Sequence, residues 1–366
     1  MKNLFLILCS FFLISLHANQ SLVSDPKYFW MDEAIEKEFS AYKESGITEK
    51  MIEATENTLS QHCKWERYKV INSRIAGPRG AVREMLEYLV RHYNVPDVDF
   101  VYLHGDGLIE TAELSIEYFP GPGLVSAKTK NAKNTILFHE HYFYMKSSGQ
   151  PPHYNWNTVR PQIEQVSSLI KWEDKIPQAF WRGNKTGPYF WHQGNWKELA
   201  RTKICYLSSL YPKLLDAALC NRSPDLQFIQ DIEGIDIFKS YASLEDHLHY
   251  KYQICLDGHT STYPGYHWRL FSRCCTLKQE TQNVQWFYTQ LKPWIHYIPV
   301  EEDLSDLIEK IQWAIDNDEA SKIIAQNAHT FVEENLMPEH VALYCYKVLV
   351  KYASLQKFSP STRRNH

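Results

Sequence analysis

Hydrophobic positions change their spacing several times along the chain, and each change marks an element. From Lys27 to about Ser60 the apolar residues recur at helical intervals in "MDEAIEKEFSAYKESGITEKMIEATENTLS", with Gly46 breaking the run in two. "GPRGAVREMLEYLVRHY" repeats the pattern and places Val82, Met85, Leu86, Leu89 and Val90 on one face. In "VPDVDFVYLHGDG" the period disappears. Val98 to Leu103 is a continuous apolar run that stops at a Gly-containing loop, which predicts a buried strand. A helix feeding a strand that ends in a polar loop is α/β grammar.

The same alternation continues. "NTILFHEHYFYM" predicts a strand, "KSSGQPPHYNWN" a loop, and "TVRPQIEQVSSLIKW" a helix. "KIPQAFWRGNKTG" reads as a strand ending at Trp181 and a tight polar loop, and "WKELARTKICYLSSLY" as the helix after it. "YKYQICLDG" is a strand, "GYHWRLFSRCC" begins a helix, and "TLKQ" and "IHYIPV" are short strands. Helices fill the chain from about Leu304 to Leu355. The second half carries the cleaner strand–loop–helix repeat, so a domain boundary is expected near residue 165. Residues 19–165 then form one α/β domain, 166–335 a second, and 336–366 a helix and tail.

Composition narrows the class. The chain has 366 residues, of which 44% are hydrophobic and 14% aromatic, and its formal net charge is -4. That is ample core material, and without a long basic run it gives no bulk affinity for nucleic acid or anionic membrane. "MKNLFLILCSFFLISLHANQ" reads as a secretory signal: Lys2, an apolar run from Leu4 to Leu16, and Ala18 for cleavage. Residues 1–18 are therefore expected to be removed on export, to a bacterial periplasm or exterior or to a eukaryotic secretory lumen, with an uncleaved interfacial anchor as the alternative. The mature chain has no other segment apolar enough to span a membrane. Of 8 cysteines, Cys9 falls in the leader. The rest are scattered without a C-x-x-C, and an oxidising compartment leaves room for one or two disulfides.

Two loops draw the eye. In "AFWRGNKTG" the backbone at Gly183 can approach a ligand closely. Asn184, Lys185 and Thr186 offer donors before a helix, and Arg182 adds charge, a setting that suits an anion. The spacing is not that of a Walker loop, and an ordinary βα turn fits as well. In "DGHTSTYPGYHWRLFSR" a strand ends in a Gly/Ser/Thr/Pro loop, and Arg269 stands in the first turn of a helix, where its fork can hold two phosphate oxygens. A surface Arg is the plainer alternative. Together the two elements can converge on one diphosphate at the carboxyl edge of a parallel sheet.

Elsewhere, Asp106 in "LHGDG" stands between two glycines at a strand end, as a general base or as a turn residue. Asp97 and Asp99 form a D-x-D that lies before its strand and reads as a turn. His139 and His141 share a strand face but lack a third metal ligand. Asn184 and Asn221 match the N-glycosylation pattern. His296, Tyr297 and Pro299 read as the end of a strand, with Asp303 and Asp306 capping the next helix.

"AFWRGNKTG", "YKYQICLDG", "GYHWRLFSRCCTLKQ" and "WFYTQLKPWIHYIPVEEDLSDLIEKIQWAIDND", in this order, resemble glycosyltransferase family 90. The resemblance is clear over about residues 165–335 and looser back to about residue 70. It implies a GT-B fold, two Rossmann-like domains facing a cleft with C-terminal helices. It implies transfer with inversion from a UDP-sugar, no cofactor and no metal. It places the catalytic base at Asp106 and the donor contacts at Arg182, Gly183, Asn184, Lys185, Thr186 and the segment Gly265, Tyr266, His267, Trp268 and Arg269. There are departures: His267 stands where a small residue is usual, and "PYFWHQGNW" replaces a Glu-Arg-Asp, so one donor contact is lost or relocated. The expected activity moves a glucose or xylose-like sugar to a hydroxyl of a surface glycan or lipopolysaccharide. A Ser of a polypeptide is the alternative acceptor, and a non-catalytic carbohydrate-binding protein on this fold is the alternative class.

Overall fold

The computed structural model describes residues 21–58, 64–105, 107–108, 120–139, 155–187, 193–222, 224–262 and 264–361. The chain divides into two compact units, residues 1–148 with 338–366, and residues 149–337.

The first unit opens with α1 (Phe29–Glu38) and α2 (Glu49–Glu56) on either side of Gly46. Thr48 caps α2 by accepting the Met51 N–H at 3.3 Å. Then come β1 (Lys64–Ile71), β2 (Arg74–Ala76), α3 (Ala81–His92), β3 (Val98–His104), β4 (Gly123–Val125) and β5 (Thr135–Leu137). The sheet order is β2-β1-β3-β4-β5. β1 runs antiparallel to β2 and β3, whereas β3, β4 and β5 are mutually parallel. The apolar face predicted for α3 is buried at Val82, Met85, Leu86 and Leu89. β3 is buried from Val98 to Leu103, as a strand covered on both faces requires. Sequence reading missed β1, because "KWERYKVI" mixes charges among its aromatics. Those charges have partners in the fold. Asp99, fully buried, accepts from Arg67 Nε and Nη2 at 2.8 Å each, and Lys69 Nζ lies 3.1 Å away. Asp97 accepts the Asn72 N–H at 2.7 Å. The D-x-D is thus a turn brace and a buried ion pair.

The second unit runs α4 (Trp156–Leu169), β6 (Ile176–Gly183), α5 (Ala200–Leu210), β7 (Leu215–Leu219), α6 (Gln227–Glu233), α7 (Leu244–Leu248), β8 (Tyr250–Cys255), α8 (Gly265–Phe271), β9 (Cys275–Gln279), β10 (Ile298–Val300), α9 (Leu307–Asp316) and α10 (Asp318–Asn335). Its five strands are all parallel, in the order β10-β9-β8-β6-β7. Alternation along β6 sets the two layers. Trp181 enters a core with Ile204 of α5, Ile254 of β8 and Leu307 and Ile311 of α9. Phe180 turns the other way, stacking on Tyr250 at 4.1 Å and meeting His247 of α7 edge-on at 4.8 Å. The division falls before α4 rather than near residue 165, because α4 packs on α7 and α8 of the second unit. The last helix, α11 (Pro338–Leu355), rejoins the first unit. There Lys347 pairs with Asp32 at 2.5 Å and Tyr28 Oη meets His340 Nε2 at 2.8 Å.

Two further expectations change. His296 and Tyr297 precede β10 rather than end a strand, and Pro299 lies inside β10. A proline is tolerated there because β10 is an edge strand. Asp303 and Asp306 accept the Ser305 and Glu301 N–H groups at 2.9 Å each, so they brace the turn before α9 rather than its first-turn amides. Disulfides are absent among the six described cysteines Cys205, Cys220, Cys255, Cys274, Cys275 and Cys345, all of which are free thiols. Five of the six are buried, and burial pushes the Cys205 and Cys275 thiols well above their ordinary range, which keeps them inert. The proposed leader, residues 1–18, lies outside the described residues. Among those described, no helix is long and apolar enough to cross a membrane.

Candidate functional site

The carboxyl edge of an open parallel sheet is where such folds place ligands. In the second unit β6 and β8 are neighbours there, and the loops after them are the two singled out from sequence. The structure ties these loops together. A Cβ on Gly258 would stand 2.8 Å from Thr186 Oγ1, so only glycine permits this approach. His259 Nδ1 meets the Gly187 carbonyl at 2.8 Å. Arg201, in the first turn of α5, donates from Nε to the Asp257 carbonyl at 2.9 Å and from Nη2 to the Leu256 carbonyl at 3.3 Å. Its Nη1 serves the Asn184 carbonyl at 3.1 Å and the Thr186 hydroxyl. One guanidinium thereby fixes both loops.

Arg269 is the centre of the site. It lies on α8, 5% exposed, and donates from Nη1 to the Gly265 carbonyl at 3.0 Å. Its guanidinium lies over the Trp268 ring at 4.2 Å. Gly265 makes room for it, since a Cβ there would come within 2.9 Å of Nη1. Nε has no partner, and Arg269 has no acidic partner among the described residues. Burial lowers its pKa below the usual value, although an arginine stays charged. A buried cation without a counter-ion is costly unless an anion completes it.

Arg182 differs. It donates to the Asp216 carboxylate of β7 at 3.0 Å and to the Trp181 and Asp216 carbonyls at 2.9 and 3.0 Å. Lys239 completes the Asp216 cluster at 2.6 Å. The two cations and hydrogen bonds hold the Asp216 carboxyl below its ordinary range against the opposing effect of burial. Arg182 is therefore a strut of the loop. Lys185 pairs with Asp225, and Asn184 Oδ1 accepts from Asn221 Nδ2 at 2.8 Å. Gly183 ends β6.

Two buried histidines and a tyrosine belong to the same described surroundings. His267 is a core residue, edge-on to Trp156 at 4.5 Å, and burial pushes its pKa down to about 3. His247 receives Trp268 edge-on at 5.2 Å and accompanies Gln253 Oε1 at 2.9 Å. Burial, then the charges of Arg269 and Arg182, bring His247 down to about 3 as well. The Tyr266 ring meets Tyr288 edge-on at 5.4 Å. Arg273 sits at the far end of α8, bonded to His329 at 2.8 Å, and plays no part here.

In the first unit, Asp106 lies outside the described residues, as do Glu140 and His141. Its neighbours Gly105 and Gly107 have φ of 131° and 97°, which favour glycine. His104, the last residue of β3, meets Glu66 Oε2 at 2.8 Å and Tyr68 Oη at 3.1 Å. His139 is 1% exposed.

Sequence reading missed Arg201, Asp216 and Asp257. Arg201 was visible as the charge opening "ARTKICYLSSL", but starting the helix at Trp196 hid it in the helix interior.

The family model described as Glycosyl transferase family 90 matches residues 21–366. Protein O-glucosyltransferase 3 of Rattus norvegicus is 28% identical over 285 residues, 76% of this chain and 51% of that protein. Protein O-glucosyltransferase 2 of Danio rerio is 37% identical over 192 residues, 52% of this chain and 35% of that protein. The chain thus spans about half the length, or less, of these curated relatives. Among solved structures, that of Anabaena HepE in complex with UDP-glucose aligns with a TM-score of 0.38 and 10% identity over 65% of each chain.

Proposed function

Starting from a chain that belongs to glycosyl transferase family 90, we propose that it transfers a sugar from a UDP-sugar to an acceptor hydroxyl with inversion. The observation that carries this reading is Arg269: a buried guanidinium without an acidic partner among the described residues, at the carboxyl edge of a parallel sheet. A nucleotide diphosphate supplies the missing counter-charge, and the guanidinium fork fits two of its oxygens.

In this mechanism the acceptor hydroxyl attacks the anomeric carbon as the bond to the diphosphate breaks, and the bonding pair leaves with UDP. Arg269 stabilises the charge that develops on the leaving group. Asp106 takes the hydroxyl proton. Arg201 and Arg182 hold the loops in place. This account calls on no divalent ion, and the carboxylates of Asp97 and Asp99 are engaged within the protein.

The acceptor is a hydroxyl of a glycan, a lipopolysaccharide or a polypeptide. The names of the relatives, protein O-glucosyltransferases, favour the polypeptide hydroxyl. Action after export, in a periplasm or a secretory lumen, follows from the leader-like first residues. A hydrolysis screen over nucleotide sugars tests the reading: slow release of UDP from UDP-glucose or UDP-xylose is expected. No hydrolysis and no binding of any UDP-sugar would leave the carbohydrate-binding alternative.

A further inference from the structure

Asp257 stands two residues past the end of β8 and is 7% exposed, yet it is not placed like a base or a metal ligand. Its carboxylate is surrounded by donors. Oδ1 accepts the Thr262 N–H at 3.0 Å, with Lys278 Nζ at 3.5 Å, while the Thr262 hydroxyl donates to the Leu256 carbonyl. Oδ2 accepts the Thr281 hydroxyl at 2.5 Å and Asn283 Nδ2 at 3.3 Å. The backbone of the same residue is also engaged. Its N–H donates to Gln279 Oε1 at 3.3 Å and its carbonyl accepts from Arg201 at 2.9 Å.

The donors come from different places. Thr262 closes the loop that begins at Gly258 and precedes α8; Lys278 belongs to β9; Thr281 and Asn283 follow β9. Arg201 brings in the loop after β6. We propose that Asp257 is the positioning residue of the donor site. It folds the 257–262 loop so that Gly258 meets Thr186 and α8 starts where Arg269 is needed. This rests on the UDP-sugar reading above, and it assigns Asp257 no contact with the donor.

The chemistry favours a carboxylate. At Oδ1 an amide nitrogen would face the Thr262 N–H and the Lys278 ammonium, neither of which can accept, so an asparagine could only turn its nitrogen toward the Thr281 hydroxyl and the Asn283 amide, at the cost of the bonds those groups now donate. Lys278, 3% exposed, would also lose its counter-charge. A positioning role predicts a loss in donor binding without a matching loss in the chemical step, because interactions shared by ground and transition state alter KM alone.

The test uses the full chain with UDP as the probe in calorimetry, and the UDP-sugar hydrolysed by the wild type for kinetics. Asp257→Asn should weaken UDP binding and raise donor KM by about 10-fold or more, with kcat within about 3-fold. Thr281→Val, which removes one donor and leaves Lys278 paired, should show about a 3-fold effect in the same direction, while Thr281→Ser keeps the hydroxyl and should match the wild type. Folded Asp257→Asn with unchanged UDP affinity overturns the role. If that variant does not fold, Thr281→Val with wild-type affinity overturns it instead. A wild-type chain that binds no UDP removes the donor reading and this role together, whereas unaffected variants of a binding wild type remove the role alone.

Discussion

Arg182 and Arg269 belong to neighbouring strand–loop–helix elements of one parallel sheet, and from sequence they looked alike. Their surroundings are opposite. Arg182 is saturated by Asp216, two carbonyls and the Phe180 ring at 4.3 Å. Among the described residues Arg269 has a single carbonyl and the face of Trp268. A buried charge that has its counter-ion is part of the scaffold; one that lacks it is waiting for a ligand. The first unit repeats the scaffold case, with Asp99 enclosed by Arg67 and Lys69. A charged motif is therefore sorted by its partners rather than by its position after a strand.

The largest effect is expected away from both arginines. Asp106→Asn keeps shape and removes basicity, so transfer should fall by about 10²-fold or more while UDP binding stays nearly intact. Near-parent turnover would make Asp106 a turn residue and leave the arginines to account for binding alone. In that case the base would be sought at His104, Glu140 or His139.

His247 senses both arginines and sharpens the contrast through pH. In the unfolded chain His247 and His267 gain a proton as pH falls through 6.5, whereas in the fold both stay neutral down to about 3. The unfolded state thus binds more protons over that window. Stability is fully present above 6.5 and is lost progressively as pH falls toward 3. Each histidine contributes about 1.4 kcal/mol per pH unit, or roughly 2 kcal/mol by pH 5. Urea melts at pH 7 and 5 should show this loss, and His267→Phe should reduce it by about half on the same scale. A variant as pH-sensitive as the wild type would mean that His267 titrates normally in the fold.

The smallest expected effect is none. Chelation should leave transfer unchanged if, as proposed, Arg269 is the electrostatic partner of the leaving diphosphate. Activity lost in EDTA and restored by manganese would return the role to carboxylate or imidazole ligands and end the distinction drawn between the arginines.

Strand β3 and helix α3 were legible from their apolar periods, and β6, β8, β9, α4 and α8 from short apolar stretches bounded by turn residues. β1 was not, since its buried face is interleaved with charges whose partners lie far away in sequence, Arg67 with Asp99 above all. The boundary before α4 depended on which helices α4 touches, and no periodicity reports that. At the site, the two loops and Arg269 could be named from glycine placement and charge. The partnering of Arg182 could not, because Asp216 is 34 positions away on β7. Arg201 and Asp257 act through backbone groups and hydroxyls of several loops, a role that residue type alone does not announce.

The central claim is that Arg269 is completed by a nucleotide diphosphate and Arg182 is not. Calorimetric titration of UDP into Arg269→Ala and Arg182→Ala, each checked for folding, tests it directly. Arg269→Ala should lose at least ~1.5 kcal/mol of binding, the scale of a charged hydrogen bond, while Arg182→Ala should lose stability first and keep UDP affinity within about 3-fold. Wild-type affinity in folded Arg269→Ala would remove Arg269 from the site and contradict the account.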